Sequence, residues 1–251
     1  GVVMERYIRI ILLFLFTIGA FLLNSEFAFA KRGGGGASIS GDSSMSFGLS
    51  IISSTQKDLN SVTDYVNANM GGVSTKSMTS AYDIYAQYMF RFSGTIFGLA
   101  FRPSYFTQSA NGSGATVGDY KHDLTGYSFF TLLRLYPLES NFIKFYLQFG
   151  IGYGFLKGTL TQGANSMSYS GSNFGGQAGL GAEFCFSGSH CMAIEGNVRY
   201  LPIERNIADS VTGALSGFTR ATANREVEYD QNDLSTSLSG IQGVIAYVYN
   251  F

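Results

Sequence analysis

Eight ionisable side chains occupy polar positions in segments where apolar and polar residues alternate. They are Asp83, Arg91, Arg102, Arg134, Lys144, Glu183, Glu195 and Arg199. Alternate residues of a β-strand point to opposite faces of a sheet, so these charges share one face. If that face is enclosed, the charges need partners, because an isolated buried ion costs several kcal/mol. The pattern predicts an interior ion-pair network, with a narrow polar channel as the alternative.

Two cysteines, Cys185 and Cys191, flank a short polar stretch and, by the same alternation, lie on the same face as the charged residues. In an exported protein they would meet an oxidising compartment, and we expect a disulfide across a hairpin. The neighbouring His190 offers zinc binding as the alternative, but two cysteines and one histidine are an incomplete zinc site. We predict neither a metal nor a cofactor.

A histidine, His122, lies in the polar sequence Tyr120-Lys121-His122-Asp123. Nucleophilic catalysis would require a nucleophile, a base and an orienting group in contact. Ser128 has inward parity nearby, but no motif places an acid beside it. We therefore expect a solvated loop histidine and no enzymatic activity.

The elements that carry these residues are predicted to be strands. Between Phe142 and Phe155 one face is wholly apolar or aromatic: Ile143, Phe145, Leu147, Phe149, Ile151, Tyr153 and Phe155. Strict alternation of this kind indicates a β-strand. Seven further segments repeat it, near 44–53, 82–92, 96–106, 124–135, 174–186, 192–201 and 241–251. The third contains Pro103, where we expect a bulge or early fraying.

The connections between these strands alternate in length. Three are tight, at 93–95, 136–141 and 187–190, and four are long and polar, at 54–80, 107–123, 157–173 and 202–233. Short turns at one end and long loops at the other are typical of an outer-membrane barrel. A soluble β-sandwich, the alternative fold, gives no reason to sort loops by length.

The composition fits strands with one apolar face. The chain has 16 basic and 17 acidic residues, 22 Phe, 16 Tyr and no Trp. After residue 30 no apolar stretch is long enough for a membrane helix. A net charge of −1 predicts no nucleic-acid partner, because phosphate binding needs clustered Lys and Arg.

The N-terminal segment has the three parts of a secretory signal peptide. Arg6 and Arg9 precede an apolar run over 10–23, and Ala28-Phe29-Ala30 ends the segment. We predict a signal peptide at 1–30, a Gly-rich leader at 31–43 and a barrel domain at 44–251.

The end of the chain, Ile245-Ala246-Tyr247-Val248-Tyr249-Asn250-Phe251, places aromatics at alternate positions before a terminal Phe. With the alternation and loop lengths, it resembles small bacterial outer-membrane β-barrel proteins of the OmpA transmembrane-domain, OmpX and OmpW type. In that family such an end is an insertion signal, here Tyr247, Tyr249 and Phe251. The resemblance implies residence in the outer membrane. The implied partners are its lipid and lipopolysaccharide, the barrel-insertion machinery and periplasmic chaperones.

We therefore expect an all-β fold, an eight-stranded antiparallel up-and-down transmembrane β-barrel. The expected function is structural: surface display, with loops for adhesion or for recognition of an extracellular ligand. A narrow pore or small-solute channel is the alternative, and a lipid A-modifying enzyme is a third hypothesis.

Overall fold

Eight strands of the chain form a closed antiparallel ring. The computed structural model describes residues 43–69, 73–114, 118–187 and 189–251, so the predicted signal peptide and most of the leader lie outside the described residues. The ring strands are β1 (Ser43–Ser53), β2 (Ser80–Arg91), β3 (Phe97–Gly114), β4 (Gly118–Glu139), β5 (Ile143–Gln162), β6 (Asn165–Cys185), β7 (His190–Tyr200) and β13 (Gly240–Asn250). Sequential neighbours pair from β1 to β7, and β13 joins β7 to β1. The predicted eight-stranded barrel is confirmed.

The wall of the barrel has an apolar outer surface, which we call the apolar belt. On β5, the outward Ile151 is 69% exposed whereas the inward Gln148, three residues earlier, is 1% exposed. The belt includes Phe47, Leu49, Ile84, Tyr88, Phe97, Phe129, Leu147, Phe149, Phe155, Leu180, Ile194, Val198, Ile241, Ile245 and Tyr247. Monomeric soluble proteins rarely expose contiguous apolar patches larger than a few hundred Å². A belt of this kind is the lipid-facing surface of a transmembrane barrel.

One side of the barrel is much taller than the other. β3 to β6 have 18 to 22 residues, whereas β1, β2, β7 and β13 have 11 or 12. We call the end with the tight turns the lower end, and the tall strands rise beyond the belt at the upper end. The expected loops at 107–123 and 157–173 were therefore wrong, because most of those residues are strand. β9 (Ile207–Thr212) pairs with β6 and adds a fifth strand to this upper wall.

The upper strands were missed because their alternation is inverted. Within the belt, apolar side chains point outward, but above it they point inward and polar side chains point outward. On β4, Tyr120 and Leu124 are buried while Lys121 is exposed. On β5, Leu160 is buried while Thr159 is exposed. A polar outer face is what a wall in water requires, so the inversion marks where the belt ends.

A helix and short strands cover the upper end on the low side of the barrel. α1 (Lys57–Asn69) buries Leu59, Val62, Thr63 and Val66, a stripe at helical spacing on one face. The segment after β7 adds the short strands β8 (Pro202–Ile203), β10 (Glu228–Tyr229), β11 (Asn232–Asp233) and β12 (Thr236–Ser237), and β12 contacts α1. We call α1 with segments 73–79 and 202–239 the lid. The segments 54–80 and 202–233, predicted as open polar loops, are thus folded against the barrel.

Among the described residues, no helix is both long and apolar enough to cross a membrane.

Pro103 neither ends β3 nor produces the expected bulge. β3 stays in register with β4 through the pair Pro103–Phe129 and continues to Gly114. In the ladder between β3 and β2, the pair Tyr85–Ser104 is followed directly by the pair Tyr88–Phe101, so the residues between them are unpaired. Proline has no backbone N–H to donate to a ladder. The sheet therefore accommodates Pro103 by losing hydrogen bonds locally rather than by changing register.

Candidate functional site: the filled interior and the lid

Glu195 is the centre of the polar interior at the level of the apolar belt. Its Oε1 accepts hydrogen bonds from Arg102 Nη2 at 2.8 Å, Arg134 Nη2 at 2.8 Å and the hydroxyl of Tyr146 at 2.7 Å. Its Oε2 accepts hydrogen bonds from Gln148 Nε2 and Asn197 Nδ2, both at 3.0 Å. These side chains come from β3, β4, β5 and β7, so they meet across the lumen. An eight-stranded barrel is only wide enough to be filled by its own side chains.

Tyrosine rings complete the filling around the two central arginines. The Arg134 guanidinium lies 4.1 Å from the ring centroid of Tyr146, and that of Arg102 lies 4.2 Å from the centroid of Tyr85. A cation over an aromatic face at this distance is attracted by the ring. Tyr146 fits because Gly181 lies directly opposite it in the ladder, where a Cβ would come within 2.4 Å of the Tyr146 ring.

The remaining predicted interior charges form pairs above and below this centre. Arg134 also contacts Glu183 at 3.3 Å. Above, Arg199 Nη1 lies 2.7 Å from Asp83 Oδ2, and Arg199 Nε donates to the backbone oxygen of Leu238 in the lid at 2.6 Å. Arg199 therefore connects the polar interior to the cover above it.

At the lower end, two of the predicted charges share a partner that sequence reasoning missed. Arg91 forms two hydrogen bonds with Glu139, at 2.7 and 2.9 Å, and Lys144 Nζ lies 3.9 Å from the same carboxylate. Glu139 was assigned to a turn, yet it pairs with Lys144 in the β4–β5 ladder after a shift of register between Leu135 and Leu138. The shift changes the parity of Glu139, a change that simple alternation cannot anticipate.

The lid is fixed to the barrel by specific hydrogen bonds. Gln56, which directly precedes α1, donates from its amide to Gln108 Oε1 on β3 at 3.0 Å and to the carbonyl of Ser237 in the lid at 2.7 Å. Gln56 Oε1 accepts from the Ser237 backbone N–H at 2.9 Å. Within the lid, Asn60 of α1 bonds both backbone groups of Met78. The lid is therefore an ordered cover with defined contacts.

An apolar core lies between the lid and the tall wall. The fully buried residues Leu59 and Val62 of α1 belong to one hydrophobic cluster with Leu124, Leu156 and Leu160 of the upper strands. The interior is thus closed twice, by ions at belt level and by apolar side chains beneath the lid.

His122 lies inside this upper core, so its expected place in a solvated loop was wrong. It is 0% exposed, and its Nε2 lies 2.7 Å from the hydroxyl of Tyr169. Burial lowers the pKa of His122 to about 4. Ser128, the residue considered as its nucleophile, instead lies 2.7 Å from the hydroxyl of Ser104. Among the described residues, His122 and Ser128 form no catalytic pair.

The two cysteines face each other in the β6–β7 ladder and are joined in a disulfide. Their sulfurs are therefore not free to bind zinc with His190, whose ring instead contacts the hydroxyl of Tyr247. Tyr247, Tyr249 and Phe251 lie on the outer surface at the lower end, where they are 42–54% exposed.

Comparisons with known proteins identify the fold. No protein-family model matches the sequence, and no curated protein is significantly similar to it. The crystal structure of the outer membrane protein OprG from Pseudomonas aeruginosa aligns with a TM-score of 0.51 and 15% identity, over 84% of this chain and 96% of that one. Ail, the attachment invasion locus protein of Yersinia pestis, aligns with a TM-score of 0.42 and 14% identity, over 84% and 99% of the two chains. The chain has the fold of the small bacterial outer-membrane β-barrel proteins.

Proposed function

We propose that the protein is a closed outer-membrane barrel that displays its lid and upper strands on the cell surface. The observation that supports this proposal is that side chains fill the lumen at two levels. The Glu195 cluster occupies it within the apolar belt, and the core beneath the lid occupies it above. A solute would have to displace both, and separating Glu195 from its arginines would leave buried charges unpaired. A narrow pore is therefore the weaker hypothesis.

The proposed orientation follows from the ends of the barrel. In outer-membrane barrels the short turns face the periplasm and the longer connections face outward. The tight turns and the carboxyl terminus share the lower end, where Tyr247, Tyr249 and Phe251 are available to the insertion machinery. Residues 1–30 would direct export before insertion. The lid and the tall wall then face the cell exterior.

The proposed role is display and recognition rather than catalysis. Binding residues concentrate on connections held by a rigid scaffold. Here the connections are themselves folded, so the lid presents a preformed surface for adhesion or for an extracellular ligand. The lipid A-modifying hypothesis depended on His122, which is buried away from the surface.

Conductance in planar bilayers tests the closed state. Folded full-length protein, identified by heat-modifiable mobility on a gel, is expected to produce no discrete current steps under an applied voltage. A general porin reconstituted in the same way serves as the positive control. Reproducible unitary steps from the folded protein would overturn the closed state in favour of the pore.

A further inference from the structure

The disulfide between Cys185 and Cys191 is enclosed by the finished barrel. Cys191 is 0% exposed and Cys185 is 5% exposed. They belong to an apolar cluster inside the barrel, whose other members are Tyr85, Ala193, Val244, Ala246 and Val248. A reagent of protein size therefore cannot contact either sulfur in the closed barrel.

The cover over the disulfide comes mainly from β13, the last strand of the ring. Val244, Ala246 and Val248 of the cluster lie on β13, and Val248 is paired directly with Cys191 in the ladder between β7 and β13. Near the end of the same strand, Asn250 donates from its side-chain amide to Cys191 Sγ at 3.3 Å. Since β13 also pairs with β1, the strand that covers the sulfurs is the strand that closes the ring.

The two cysteines, by contrast, can meet before the ring exists. They are separated by six positions in the sequence and face each other in the hairpin formed by β6 and β7. The entropy lost on closing a loop grows with its length, so this short loop needs little help from the rest of the barrel. β13 begins only at Gly240, well beyond the hairpin. The thiols are thus accessible to each other and to a reagent in the open chain, and enclosed in the closed barrel.

We propose that a thiol–disulfide oxidant of the export compartment, a protein with an exchangeable disulfide, oxidises Cys185 and Cys191 before the barrel closes. The oxidant is a transient partner of the open chain, and oxidation is the step that precedes closure. This inference rests on the export and the closed barrel of the proposed function, but not on surface display.

The exchange reaction requires direct contact between sulfurs. The thiolate of one cysteine attacks the disulfide of the oxidant, which forms a mixed disulfide and releases one oxidant sulfur as a thiol. The thiolate of the other cysteine then attacks the sulfur of the first, which forms the bond between Cys185 and Cys191 and releases the second oxidant sulfur. The cysteines lose two electrons and two protons, and the oxidant takes up both as a dithiol. Neither attack is possible once β13 covers the sulfurs.

The test compares two states of the full-length protein, both with reduced cysteines. One sample is kept unfolded in dilute urea, and the other is folded in detergent micelles under reductant, with closure judged by heat-modifiable mobility. After removal of the reductant, each sample is mixed with oxidised protein disulfide isomerase, and the remaining thiols are counted with a maleimide after acid quenching and unfolding. The folded sample is expected to react at least about a hundredfold more slowly, because its reaction must wait for local opening of the barrel.

An accessible cysteine pair provides the control. In a Cys185→Ser, Cys191→Ser background, Thr159→Cys and Ser168→Cys place two thiols at facing positions of the ladder between β5 and β6, on the outside of the tall wall. This pair is expected to be oxidised at similar rates in both states. Similar rates for the wild-type pair as well would overturn the proposal. A reduced wild-type chain that cannot close would support it, since oxidation would then be a condition of closure.

Two matched variants test whether the end of β13 is the cover. Asn250→Ala and Gln242→Ala each shorten a 2% exposed amide side chain of β13 and remove one side-chain hydrogen bond. Of the two side chains, Asn250 is the one bonded to Cys191 Sγ. Asn250→Ala is expected to speed oxidation of the folded, reduced barrel by roughly fivefold, the equivalent of one hydrogen bond. Gln242→Ala is expected to keep the wild-type rate, and equal rates in the two variants would contradict the assignment of the cover to this end of β13.

The same samples separate this inference from the proposed function. Oxidised protein that never shows heat-modifiable mobility would overturn the barrel itself. Folded protein whose thiols react as fast as those of the open chain would overturn only the order of oxidation and closure.

Discussion

The Arg134 guanidinium and the Glu195 carboxylate lie 2.8 Å apart in the middle of the barrel, on strands three places apart in the ring. Both side chains are almost fully buried, and Arg102 contacts the same carboxylate oxygen. One carboxylate therefore compensates two arginines that come from neighbouring strands.

Glu195→Ala tests the importance of that carboxylate. Removing it leaves Arg102 and Arg134 buried without their shared partner, and breaking a buried pair in this way costs about 3–5 kcal/mol. We expect the free energy of unfolding, measured by urea titration with heat-modifiable mobility as the readout, to fall by that amount. Glu204→Ala, on an exposed residue of the lid, is the control and is expected to have little effect. Equal loss in both variants would contradict the account.

Gly181→Ala tests how closely the interior is packed. A Cβ at this position would lie 2.4 Å from the Tyr146 ring, so Tyr146 must move away from Glu195 and Arg134. Overpacking a filled interior costs about 1–3 kcal/mol, and we expect a corresponding loss in the same urea titration. Gly196→Ala, on the neighbouring strand, has no atom within 4 Å of the new Cβ and is expected to be neutral. If Gly181→Ala is as stable as Gly196→Ala, the Tyr146 side chain is not tightly packed against position 181.

His122 predicts a pH dependence of the upper core. Burial lowers its pKa from 6.5 to about 4, so between those values the unfolded chain binds a proton that the folded chain does not. The contribution of His122 to stability is therefore full above pH 6.5 and falls as the pH is lowered towards 4, by about 3 kcal/mol in total. Protease sensitivity of the lid, measured in detergent against pH, should follow this fall.

The control for this pH effect is a neutral side chain at the same site. His122→Gln keeps a polar partner for Tyr169 but cannot titrate, so its lid is expected to lack this component of the pH dependence. His190→Gln alters the other histidine, at the opposite end of the barrel, and is expected to keep the wild-type profile. A wild-type profile in His122→Gln would assign the effect to other groups.

The barrel could be predicted because outward Phe, Tyr, Leu and Ile alternate with inward polar residues throughout the belt. Where a strand leaves the belt, the polar residue points outward and the apolar one inward. Consecutive residues such as Lys121 and His122, or Thr159 and Leu160, therefore did not show the belt pattern and were assigned to loops. The helix α1 was missed because only a narrow stripe, Leu59 to Val66, is apolar in a polar segment. The inward positions of the charged residues likewise follow from alternation along each strand. Which of them form ion pairs depends on the curvature of the barrel, which brings β4 close to β7.

Cysteine labelling of intact cells tests most directly that a membrane-embedded barrel displays its lid. In a Cys185→Ser, Cys191→Ser background, Asp64→Cys places a thiol on the exposed face of α1, and Ser93→Cys places one in a lower turn. A large, membrane-impermeant maleimide is expected to label the first variant in intact cells. The second should be labelled only after the outer membrane is opened. Equal labelling of both in intact cells, or recovery of the protein in a soluble fraction, would contradict the account.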